Sequence, residues 1–92
     1  MTTEITRHLL IVNEKGLHAR ASAKFVETVE KFDAQASVEK DGLDAGGDSI
    51  MGLLMLAASK GTTIDVTTSG SQALELADAL EHLVAHRFGE DQ

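Results

Sequence analysis

Gly16-Leu17-His18-Ala19-Arg20 lies where a β-branched run, Glu4 to Val12, gives way to a stretch with helical spacing from Ala19 to about Phe32. A strand, a turn and a helix therefore meet here. In the strand, Ile5, Leu9 and Ile11 fall on one side of a period-two pattern. Asn13-Glu14-Lys15-Gly16 is polar and ends in the residue that best tolerates a left-handed backbone, so the chain can reverse. On the helix, Ser22, Phe25, Val26, Val29 and Phe32 recur with no proline or glycine between them, which makes one side apolar.

A helix starting near Ala19 leaves its first N–H groups without intrahelical acceptors. Together with the macrodipole they favour a negative group beside His18, and phosphate fits that description. Histidine has an ordinary pKa of about 6.5, so a neutral imidazole is available near neutrality to attack phosphorus and hold it covalently. Arg20 adds a fixed positive fork, and Lys24, one turn further along the same side, extends a local positive patch. Each residue has a plainer reading as well: His18 as a helix cap, Arg20 and Lys24 as solvated charges.

Gln35 to Lys40 alternates, with Ala36 and Val38 facing one way, and the hairpin dipeptide Asp41-Gly42 folds Leu43 to Ala45 back antiparallel. Gly46-Gly47-Asp48-Ser49 breaks the sheet, and Ser49 is a good N-cap for a second helix. Ile50 to Ala58 is apolar nearly all round and too short for a membrane span. A buried helix explains this, as does a surface helix that offers one side to partners; the small size of the chain favours the second. On that reading Ile50, Met51 and Leu54 share the outer face, Leu53, Leu56 and Ala57 fill the core, and Ser59-Lys60-Gly61 closes the helix. Thr63 to Ser69 alternates with Ile64, Val66 and Thr68 inward, and a last helix carries Ala73, Leu76, Ala77, Leu80, Leu83, Val84 and Phe88 on one stripe ending near Gly89.

The order is strand, helix, strand, strand, helix, strand, helix. A right-handed helical crossover makes the first two strands parallel, and the closing strand fits antiparallel between them. The expectation is an α+β open-faced β-sandwich: a four-stranded, mainly antiparallel sheet of order 1-4-2-3 with three helices on one face, as a single domain over residues 1–92.

Composition narrows the function classes. With 42% hydrophobic and 25% charged residues the chain reads as an ordinary soluble globular protein. Eight Lys and Arg against fifteen Asp and Glu give a net charge of −7, which opposes nucleic-acid phosphates and anionic membranes. Three Phe with no Tyr or Trp leave few platforms for stacking RNA bases. The absence of cysteine excludes disulfides, thiol catalysis and thiolate metal sites. Leu9 to Val12 is too brief for a signal-peptide core, so a cytoplasmic location is the default. His82 and His86 have an i, i+4 spacing that suits zinc, but no carboxylate or thiol stands at a matching spacing, so neither metal nor cofactor is expected. His8, within the first strand, is expected to point outward or to satisfy a neighbour.

Gly16-Leu17-His18-Ala19-Arg20 and Ser49-Ile50-Met51-Gly52, spaced as they are in a chain of this length, resemble the HPr family, the histidine phosphocarriers of the bacterial phosphoenolpyruvate phosphotransferase system. The resemblance covers nearly the whole chain. Leu53-Leu54-Met55-Leu56 followed by Ser59-Lys60-Gly61 looks like the nitrogen-branch relatives, called NPr.

The resemblance implies that His18 accepts a phosphoryl group from enzyme I and passes it to a downstream EIIA-type receiver, and that Arg20 pairs with the phosphoryl oxygens. Ser49 matches the serine that an HPr kinase/phosphorylase modifies in many members, although it also reads as a helix cap alone. Ile50, Met51 and Leu54 fall on the family's docking surface, with Lys24 added to it. Such a protein is a monomeric carrier rather than a stand-alone catalyst, serving sugar transport. The alternative within the family is a regulatory protein that acts by phosphorylation-dependent protein binding without sugar transport. One departure stands out: the family usually has proline where this chain has Ala21.

Overall fold

Strand β1 (Glu4–Leu10), helix α1 (Ala19–Glu30), strands β2 (Gln35–Lys40) and β3 (Leu43–Gly46), helix α2 (Ile50–Met55), strand β4 (Thr63–Ser69) and helix α3 (Ala73–Ala85) succeed one another in a computed structural model that describes residues 3–92. A short 3-10 turn, Arg87–Gly89, comes after α3.

The sheet has the order β1-β4-β2-β3, and every neighbouring pair is antiparallel. The α+β fold expected from the sequence is the fold found. Leu9, Val38, Ala45, Ile64, Val66 and Thr68 are buried on the side of the sheet that the helices cover. On the open side His8, Asp65, Glu39 and Asp44 are register partners in one row across the four strands. His8 is exposed there and its Nδ1 bonds Asp65 at 2.6 Å.

Helix α1 buries Ala21, Ser22, Phe25, Val26 and Val29, and α3 buries Ala73, Leu76, Ala77, Leu80 and Val84. Each large apolar side chain so removed from water contributes about 1.5–3 kcal/mol. Arg7, on the helix side of β1, reaches α3, donating to Asp78 at 3.0 Å and to Glu81. Thr68 closes the other end of α3 by donating to the Ala73 carbonyl at 2.7 Å.

Gly16 has φ 65°, and a Cβ there would lie 2.4 Å from the Ala58 carbonyl oxygen. Only glycine lets the loop before α1 cross the segment after α2 this closely. The crossing is fixed by Leu17 N–H donating to that same carbonyl at 2.8 Å.

Several boundaries differ from the sequence reading. Helix α2 stops at Met55, not at Ser59-Lys60-Gly61, because Ala57 turns left-handed at φ 52°. Ala57 is therefore exposed rather than in the core, and Ala58 is buried in its place. Strand β1 pairs to Leu10, and Ile11 continues by donating to the Thr62 carbonyl at 2.9 Å. Helix α1 ends at Glu30, so Phe32 packs on the core from beyond it. Phe88 is fully buried, yet α3 has ended at Ala85 and a left-handed turn, not helical spacing, carries the ring inward.

Candidate functional site

His18 is the N-cap of α1. Its backbone is extended, and its Nδ1 accepts a hydrogen bond from the Arg20 N–H at 3.2 Å. An imidazole nitrogen that accepts carries no proton, so the lone pair of Nδ1 faces the helix start. Neither the Ala19 nor the Ala21 N–H has an acceptor among the described residues, so the amides that an anion would meet lie beside that nitrogen.

The other side of the ring is occupied. Nε2 bonds Oε2 of Glu90, whose Oε1 accepts from Nδ2 of Asn13 at 3.0 Å. Asn13 is fully buried, and its Nδ2 also donates to the Gly16 carbonyl at 2.8 Å, while its Oδ1 has no partner among the described residues. Burial pushes the Glu90 carboxyl up, but the hydrogen bonds from Asn13 and His18 and the nearby charge of Lys15 outweigh it and hold the group below its ordinary value.

The turn after α3 puts Glu90 there. Arg87, Phe88 and Gly89 succeed one another with φ of 57°, 54° and 80°. For the two non-glycine residues this costs about 1–2 kcal/mol each. Burial of the Phe88 ring, about 1.5–3 kcal/mol, and the bond from Lys24 Nζ to the Phe88 carbonyl at 2.6 Å offset it. The ammonium of Lys24 thus anchors the turn to α1.

The His18 side chain keeps 27% of its surface exposed. It opens into a cleft of about 580 Å³ lined by Glu14, Lys15, His18, Ala19, Arg20, Glu90, Asp91 and Gln92. Arg20 is exposed and forms no salt bridge among the described residues. Lys15, Leu17 and His18 line a second depression with Ala57, Ala58 and Ser59, so the segment leaving α2 borders the histidine.

Ser49 caps α2, its Oγ accepting from the Gly52 N–H at 3.0 Å. Ile50 is exposed, Met51 is 69% exposed and Leu54 is half-buried, while Leu53 and Leu56 are buried. Met55, which the sequence pattern assigned to neither face, is 73% exposed. His82 and His86 stack with ring centroids 3.8 Å apart, and His86 Nδ1 bonds the His82 carbonyl. Among the described residues no group of three or more His, Cys, Asp or Glu is placed to hold a metal ion, and no helix is long and apolar enough to cross a membrane.

A family model described as the phosphorylation site of the PTS HPr component matches residues 5–86, which takes in His18, the cleft's acceptor nitrogen and both helix caps. The chain belongs to the HPr family. The phosphocarrier protein HPr of Neisseria meningitidis is 46% identical over 82 residues, 89% of this chain and 92% of that one. The phosphocarrier protein NPr of Shewanella violacea is 36% identical over 88 residues, 96% of this chain and 97% of that one. The crystal structure of HPr-C-His from Thermoanaerobacter tengcongensis superposes with a TM-score of 0.87 at 39% identity, covering 98% of this chain and 99% of that one. This is an HPr-type phosphocarrier of the phosphotransferase system, a class that works through a phosphorylated histidine.

Sequence reasoning missed Glu90 and read Asn13 only as a turn residue. Glu90 reaches His18 from 72 positions away, and no local pattern announces such a contact.

Proposed function

We propose that His18 is the phosphoryl acceptor, through Nδ1, of a cytoplasmic carrier that enzyme I loads and an EIIA-type receiver unloads. The observation that carries this reading is the orientation of the ring: Nδ1 faces the open amides of α1 while Nε2 is held by Glu90. The Nδ1 lone pair attacks phosphorus, and the donor's bond to phosphorus breaks, its electron pair leaving with the donor. As Nδ1 takes phosphorus it releases the Arg20 N–H, which joins that of Ala19 beside the phosphoryl oxygens. The exposed Arg20 side chain closes over the same oxygens as a positive fork.

Partners dock on the apolar side of α2, through Ile50, Met51 and Leu54, and on α1 through Lys24, whose ammonium also bonds the Phe88 carbonyl. Phosphorylation of Ser49 by an HPr kinase/phosphorylase regulates that surface: it adds about −1.5 to −2 charges beside the apolar side chains. A regulatory role without sugar transport is supported by the match to an NPr; identifying the receiver distinguishes the two.

Incubation with enzyme I and phosphoenolpyruvate, followed by mass spectrometry, tests the central claim. An acid-labile adduct on the His18 peptide is expected, and an unloaded protein, or an adduct elsewhere, refutes it.

A further inference from the structure

The acceptor histidine sits in a chain of hydrogen bonds that attack on phosphorus by Nδ1 does not itself use. Buried Asn13 holds Oε1 of Glu90, and Oε2 of Glu90 meets Nε2 of His18. Because Nδ1 accepts from the Arg20 N–H, the ring proton resides on Nε2, and a carboxylate held acceptor-only by its other oxygen is there to receive it. Asn13 cannot be turned the other way, since its Oδ1 would then face the Gly16 carbonyl and the Glu90 carboxylate.

We propose that Glu90 is a positioning residue for phosphoryl transfer: its Oε2 holds the proton on His18 Nε2 through loading and unloading, so that the phosphoryl group enters and leaves Nδ1 without any proton changing places. This rests on the reading of His18 as the acceptor.

On loading, the N–P bond forms from the Nδ1 lone pair and the donor's bond to phosphorus breaks. The ring, still protonated at Nε2, becomes a phosphorylated imidazolium whose charge the Glu90 carboxylate balances. On unloading, the N–P bond breaks with its electron pair returning to Nδ1, and a neutral imidazole is restored in the tautomer that began the cycle. A cationic ring is the better leaving group, so the carboxylate also keeps the phosphoryl group transferable.

Other charged groups surround the ring without bonding it. Glu14 and Lys15 from the loop before α1, Arg20 on α1 and Asp91 after Glu90 line the same cleft. Glu14 is paired with Lys60 at 3.4 Å. Of the charged side chains that line the cleft, Glu90 is the one that bonds the ring.

The test compares the protein with Glu90→Gln, which keeps the shape and an acceptor oxygen but removes the charge. Nitrogen-15 NMR of the imidazole reads the tautomer without phosphorylation. The unchanged protein is expected to show the Nε2–H form, and Glu90→Gln a several-fold rise in the Nδ1–H form. Loading both with phosphoramidate bypasses enzyme I. The acid limb of adduct hydrolysis is expected to move about one pH unit lower in the variant, and loading to slow by about tenfold, the effect of losing one charge-assisted bond. A merely structural Glu90 moves neither readout. Equal tautomer populations and superimposable pH profiles in two folded proteins overturn the proposal. If phosphoramidate never loads His18 in the unchanged protein, the acceptor reading falls, and the tautomer comparison still decides whether Glu90 holds the proton.

Discussion

His18 and Ser49 occupy the same position at the starts of two helices, each with an extended backbone and a side chain that accepts from an amide in the first turn. One cap is joined to a carboxylate, a buried amide and an open cleft with an arginine. The other caps a helix of six residues beside exposed methionines. Capping as such is therefore no chemistry. What separates the two is the second bond: the ring of His18 has a far side that a distant segment holds, whereas the Ser49 hydroxyl, among the described residues, bonds within its own helix start, to Gly52.

The largest effect is expected from His18→Asn, which separates cap from chemistry. Asn is among the best N-caps, so the cap is kept, and the lost bond to Glu90 should cost no more than about 1.5 kcal/mol by chemical denaturation while the phosphoryl adduct disappears. An adduct surviving in this variant would erase the distinction between the caps. Next comes Phe88→Ala, which attacks the distant segment. Emptying a fully buried aromatic site costs about 3–5 kcal/mol by chemical denaturation, and the turn that carries Glu90 should loosen with it. A loss under about 1 kcal/mol would mean that the turn is held mainly from Lys24.

Ser49→Asp probes the other cap. Asp also caps well, so stability should hold, but its charge beside Ile50 and Met51 should lower phosphoryl transfer from enzyme I by about tenfold, or about 1.4 kcal/mol. Steady-state kcat/KM with enzyme I as donor measures this, and an unchanged value removes the regulatory role from Ser49.

Glu90 makes the first cap pH-sensitive. Its carboxyl lies below the ordinary value of 4.5, so the stability it lends is present above that value and lost as pH falls through the depressed one. Glu90→Gln should accordingly unfold at lower denaturant near neutrality, by about 0.5–1.5 kcal/mol for the weakened bonds. The two proteins should converge in acid. Parallel curves down to pH values well below the ordinary carboxyl range would show that the pair does not titrate with folding.

The contrast also explains what the sequence made legible. Strand alternation in Gln35–Lys40 and Thr63–Ser69, the helical stripe from Ser22 to Val29 and both caps are local patterns, and each was found where expected. Ala57, Arg87 and Phe88 escaped because non-glycine residues give no composition signal for left-handed backbone. Glu90 escaped for a different reason: it comes after a glycine at the end of an apolar stripe and looks like any solvated acid until the turn folds back. Sequence thus locates His18, the proposed acceptor, and long-range packing supplies its partner.

Ala21→Pro restores the family's usual residue one position beyond Arg20 and carries the smallest expected effect. Proline lacks an N–H and fixes φ near −65°, which the first turn of a helix accepts. The Ala21 N–H has no acceptor among the described residues, so no internal bond is lost, and the cap bond runs from Arg20 instead. The equivalent position of α2, Gly52, gives its N–H to Ser49 and has no such freedom. Stiffening the unfolded chain favours the variant by about 0.4–1 kcal/mol. Against this, Ala21 is fully buried, and ring atoms must find room beside the core. The two terms nearly cancel, so a stability change within about 1 kcal/mol and a loading rate altered by less than about tenfold are expected from denaturation and phosphorylation time courses. A larger change in rate at unchanged stability would mean that the anion at Nδ1 depends on the Ala21 amide itself, and that the helix start acts through that donor as much as through Arg20.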